Sequence, residues 1–76
     1  MKTIYHDRYQ ILIACLIRER KRAKLTQLQL AQKLNKPQSY IAKIEARDRK
    51  LDVLEFVILC ETVGVSPSEI LLTIST

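Results

Sequence analysis

Apolar residues recur along this chain at spacings of three and four, and short polar segments divide them into five runs. The first run places Leu12, Ile13, Leu16 and Ile17 on one helical face; Asp7 is its expected cap and the basic stretch RERKRAK, residues 18–24, its end. Thr26 is an N-cap residue type standing before QLQLAQKL, in which Leu30, Ala31 and Leu34 form the inward face. Asn35 tolerates the left-handed backbone that closes a helix. Pro37 suits the first turn of the next one, whose inward edge is Ile41 and Ile44. After the charged segment RDRK, Asp52 opens a fourth helix over VLEFVILCETV, and Gly64 ends it as a C-cap. Ser66 and Pro67 start a last short helix, SEILLTI, with Ser66 and Glu69 at capping-box spacing. The pattern predicts an all-α domain of five helices.

Composition agrees with that pattern. One Gly and two Pro in 76 residues leave little material for hairpin turns. A chain of this length forms one domain, in which folding removes only roughly 60% of the unfolded surface from water. The apolar stretch ILIACLI, residues 11–17, is far shorter than the ~20 residues a membrane span needs, and no A-x-A cleavage site follows it. Cys15 and Cys60 each sit inside an apolar helical run and read as small buried hydrophobes in a reducing compartment. Two isolated thiols and His6 make no metal-ligand set, so neither metal nor cofactor is expected, and the expected location is cytoplasmic. His6 receives no role, and Tyr5 and Tyr9, four apart, are expected to pack on the domain.

Charge changes the picture more. All 13 Lys and Arg lie in residues 1–50, which hold four acids, for a net +9; residues 51–76 hold four acids and no Lys or Arg, a net −4. Such polarity either presents a basic region to a polyanion or is a solvated charged face. The short helices at 27–34 and about 38–46, joined by three residues, narrow the choice. So short a connection makes the helices cross sharply and pack through Ala31, Leu34 and Ile41, the geometry of a helix-turn-helix spanning about 26–46.

The segments LTQLQLAQKL, PQSYIAKIE, RKLDVLEF and VGVSPSEIL, in this order and spacing, resemble the lambda repressor-like (Cro/C1-type, XRE) family of helix-turn-helix DNA-binding domains. The resemblance runs from about Leu12 to Leu72. It implies that Gln38, Ser39, Tyr40 and Lys43 face base edges in the major groove, where a Gln amide can bond adenine N6 and N7. It implies that Gln27 bonds a DNA phosphate and braces the third helix. Lys36, Arg47, Arg49 and Lys50 are further candidates for phosphate contact, because a polyanion rewards each such cation by counterion release. Arg20 and Glu45 match an ion pair linking the first helix to the third. The family usually has Gly where this chain has Lys24 and Arg47, so either the two turns differ here or local strain is accepted.

The region from about 52 to 76 is acidic and apolar, with Ile58, Ile70, Leu71 and Ile74 as candidates for a homodimer surface. The resulting expectation is a sequence-specific regulator of transcription, a repressor binding a palindromic operator in double-stranded DNA as a homodimer. The alternative is an antitoxin that binds a toxin or other regulatory protein and controls its own operon. An enzyme is not expected: the chain has no Gly-rich phosphate loop and no nucleophile paired with a His.

Overall fold

The computed structural model describes residues 6–75. They form α1 (Asp7–Arg22), α2 (Gln27–Lys33), α3 (Gln38–Glu45), α4 (Val53–Val63) and α5 (Pro67–Ser75). The start of α1 corrects one expectation: the cap is His6, whose Nδ1 accepts the Arg8 N–H at 3.1 Å, and Asp7 is the first helical residue. An imidazole nitrogen reaches the N2 donor from this position, and the Asp7 carboxylate then lies in the first turn, where the helix dipole favours it. Thr26 and Asp52 cap α2 and α4 as expected. Each closes a full capping box, with Gln29 and Glu55 respectively returning a side-chain oxygen to the cap N–H. At α5, by contrast, the Glu69 N–H donates to the Ser66 carbonyl at 3.1 Å, while the Ser66 and Ser68 hydroxyls pair with each other at 2.7 Å.

The first four helices end alike. After each, one residue has positive φ and the following N–H reaches back five residues: Leu25 to Arg20, Lys36 to Ala31, Asp48 to Lys43, Val65 to Cys60. These are Schellman closures, which favour glycine at the left-handed position. Only α4 has it, at Gly64 (φ 84°); α1, α2 and α3 use Lys24 (60°), Asn35 (56°) and Arg47 (62°). Both turns therefore have the left-handed geometry that a glycine would adopt there, and Lys24 and Arg47 each carry a strain of roughly 1 kcal/mol.

Ile13, Ile41, Ile44 and Cys60 fill the centre of the core, with Leu30, Phe56, Leu59 and Ile70 around them. Ala31 is fully buried where α2 and α3 meet; a larger side chain there would push the two helices apart. Helix α1 runs against α3, α4 and α5. Tyr9 is a core residue whose hydroxyl accepts the Leu51 N–H at 3.0 Å, tying the first turn of α1 to the loop before α4. Tyr5 lies outside the described residues. Cys15 and Cys60 are free and buried, and burial pushes the Cys60 thiol up to about 11, which keeps it protonated at neutral pH. No single helix among the described residues is long and apolar enough to cross a membrane.

Candidate nucleic-acid interface

Helices α2 and α3 are joined by Leu34–Pro37, one residue more than the spacing suggested, because α2 stops at Lys33. Gln38 and Ser39 begin α3, and with Lys43, one turn beyond Ser39, they stand exposed on its outer face. Ile41 and Ile44 hold the opposite face in the core. The first turn of α3, which has no side-chain cap and lies at the positive end of the helix dipole, thus carries the polar side chains a groove would meet.

A continuous chain of polar contacts runs from that surface inward. Gln38 Nε2 lies 3.4 Å from Gln27 Oε1, and Gln27 Nε2 donates to Glu45 Oε1 at 2.9 Å. Arg20 grips the same carboxylate with both arms of its guanidinium, Nε to Oε2 at 2.7 Å and Nη2 to Oε1 at 2.9 Å. Its remaining arm, Nη1, donates to the Leu25 carbonyl at 2.8 Å. The side chains of Arg20 and Glu45 are 10% and 11% exposed, so this forked pair works in a largely dry setting where each charge depends on the other. It fixes the end of α3 against α1.

Tyr40 differs from its neighbours in sequence. It is half-buried, and its hydroxyl donates to Glu55 Oε2 at 2.7 Å, across to the first turn of α4. Burial, and then the adjacent carboxylate, push the phenol up to about 12. Arg49 binds the same carboxylate at 2.9 Å and sits 4.9 Å from the Tyr40 ring centre, with the Lys36 ammonium 5.3 Å from it. The Arg49 guanidinium and the Tyr40 hydroxyl hold the Glu55 carboxyl down at about 2.

Lys36, Arg47 and Lys50 are exposed around α3. The other basic run is partly spoken for: Glu19, buried on α1, accepts from Arg22 at 2.6 Å and Arg18 at 3.4 Å, and its carboxyl is lowered chiefly by the Arg22 bond. Three features that matter here escaped sequence reasoning: Glu19, Glu55 and the hydrogen bond from the Leu51 N–H to Tyr9, whose packing on the domain was expected. Of these only Glu55 left a local signal, the Asp52-x-x-Glu55 capping-box spacing.

A family model, Helix-turn-helix, matches residues 16–70. The fold also matches the solved structure of an XRE-family like protein from Pseudomonas syringae pv. tomato str. DC3000. That match has a TM-score of 0.87 and 40% identity, and covers 95% of this chain and 88% of that one. The chain belongs to the XRE family of helix-turn-helix proteins. No curated protein matches it. Membership makes it a DNA-binding regulator of transcription on the lambda repressor-like fold. The XRE motif is α2 and α3, the two helices that the capping box at Thr26 and the buried Ala31 bring together.

Helices α4 and α5 leave large apolar side chains in water: Val53 (80% exposed), Leu54 and Leu72 (66% each), Leu71 and Ile58; of these, Leu54 and Ile58 line a groove shared with Lys36 and Tyr40 beside α3. Ile74 is half-buried. Ile70 is corrected: at 2% exposure it belongs to the core, because α5 turns that side toward α1, and it has no surface to offer a partner.

Proposed function

We propose that this XRE-family protein is a repressor that binds a palindromic operator as a homodimer. The observation that carries the reading is the exposed first turn of α3, where Gln38 and Ser39 stand with Lys43 over a buttress of Gln27, Glu45 and Arg20. Gln38 reads adenine through its amide, Ser39 and Lys43 contact neighbouring edges, and Tyr40 offers a base only the edge of its ring while its hydroxyl stays on Glu55. Gln27, Lys36, Arg47, Arg49 and Lys50 contact phosphates, fixing register without reading sequence. Two such helices enter successive major grooves about 34–36 Å apart, and Ile58, Leu71, Leu72 and Ile74 form the surface between the copies.

Selection of bound sites from a random DNA pool by the full chain, with its mass in solution measured alongside, tests the reading. It predicts an enriched inverted repeat and a dimer. An unenriched pool at moderate salt would refute the operator. A monomer that forms a complex with the product of an adjacent small reading frame would instead identify the apolar α4 and α5 surface as an antitoxin's binding face.

A further inference from the structure

Glu55 sets a puzzle. It is a carboxylate 2.7 Å from a recognition-helix hydroxyl and within 3.0 Å of a loop arginine, at the edge of a surface that meets a polyanion. Repulsion from phosphate makes a negative charge there unfavourable unless it does something a neutral residue would not.

Its bonds say what that is. Oε2 accepts from Tyr40 on α3 and from Arg49 in the following loop, while Oε1 accepts from Arg49 at 3.0 Å and from the Asp52 N–H at 3.1 Å. One carboxylate therefore ties three segments together: the recognition helix, the loop after it and the start of α4. The Tyr40 ring, held by its hydroxyl, lies close to both Lys36 and Arg49, so the cations before and after α3 are ordered on a single aromatic surface. Of these partners only the Tyr40 ring also packs against the core, and Arg20 and Glu45 already fix the other end of α3.

We infer that Glu55, which lies outside the helix-turn-helix, is a positioning residue for DNA recognition: through Tyr40 and Arg49 it sets the angle of α3 and holds the flanking cations in register with the phosphates. It exchanges non-specific attraction for discrimination. This rests on the operator-binding reading above, and it makes an unusual prediction: removing the negative charge tightens binding to random DNA while loosening preference for the operator.

The test compares the full-length parent, Glu55→Gln and Tyr40→Phe on the selected operator and on random duplex, across a range of salt, with thermal unfolding of each. Gln retains an N3 oxygen for the capping box, so α4 keeps its start. Glu55→Gln is expected to lower the ratio of operator to random affinity by about tenfold, with a steeper salt dependence for random DNA as Arg49 is released. Tyr40→Phe keeps the ring and its flanking cations but loses the hydroxyl anchor, and is expected to lower the ratio in the same direction by a smaller factor. A ratio unchanged in both variants overturns the inference, as does a loss that follows only the melting temperature. A parent that selects no operator refutes the DNA reading itself, a different result from a selective parent with equally selective variants.

Discussion

The half of the molecule built from α1 to α3 and the half built from α4 and α5 solve opposite problems. In the first, polar groups are numerous and are partnered: Arg20 with Glu45, Glu45 with Gln27, Glu19 with Arg22. Among the described residues no buried side-chain nitrogen or oxygen lacks a hydrogen bond. In the second, the polar contacts centre on Glu55 at the start of α4, and Val53, Leu54 and Leu72 remain largely in water. A domain of this size cannot hide every apolar residue it contains. The difference teaches that the polar side chains around α3 are held by one another, whereas the surplus apolar ones of α4 and α5 stay exposed, where the proposed association would use them.

The strongest way to break the first half is Glu45→Ala. It leaves the Arg20 guanidinium buried without its carboxylate and should cost roughly 3–5 kcal/mol, seen as a large fall in melting temperature. Replacing both partners by apolar residues of similar volume should recover most of that loss, since the pair offsets its own desolvation only narrowly. A melting temperature unchanged in Glu45→Ala would show that the pair is not structural.

The second half is broken at Leu72. Leu72→Glu should leave the fold within about 0.5 kcal/mol of the parent, because the position is exposed. A carboxylate placed in the proposed homodimer surface should nevertheless raise the dimer dissociation constant by about a hundredfold, read by sedimentation. A variant that stays dimeric at the parent's concentration would move the interface off α5.

Arg47→Gly sharpens the contrast within one residue. It relieves the positive φ of 62° and should add about 1 kcal/mol of stability, an increase in melting temperature of roughly 4–8 °C for a domain of this size. It should weaken all DNA sequences alike and reduce the salt dependence by about one phosphate. Greater stability with undiminished DNA affinity would show that the strain serves no contact.

The remaining effect concerns acid. Folding lowers the Glu55 carboxyl from 4.5 to about 2, so the native state binds fewer protons than the unfolded chain in that window. The stabilisation is complete above the upper value and is lost as pH falls through the lower one. The melting temperature of Glu55→Gln should therefore fall less steeply than the parent's between those limits. Parallel curves would mean that the carboxylate gains nothing from Arg49 and Tyr40.

What was legible in the sequence was local. Thr26, Asn35, Asp52 and Gly64 act within one turn of themselves, and each marks a helix end where the spacing put it. The motif was legible because Ala31, Ile41 and Ile44 carry helical period across a short connection. The Tyr9 bond to Leu51 and the Tyr40 bond to Glu55 span 42 and 15 residues, and no periodicity reports such pairs. In α5 the run ILLTI is apolar almost throughout, so its pattern could not separate the buried Ile70 from the exposed Leu71 and Leu72; packing against α1 decides that. The cap of α1 was missed because an imidazole nitrogen served where a carboxylate was expected.

Gln38 is where the rigid half should become sequence preference. The decisive measurement is the affinity of Gln38→Ala and parent for every single-base variant of the selected operator. A loss of about 1–3 kcal/mol of discrimination confined to one base pair in each half-site is expected. An equal loss at all positions would place Gln38 on the backbone and leave the exposed face of α3 without its reader.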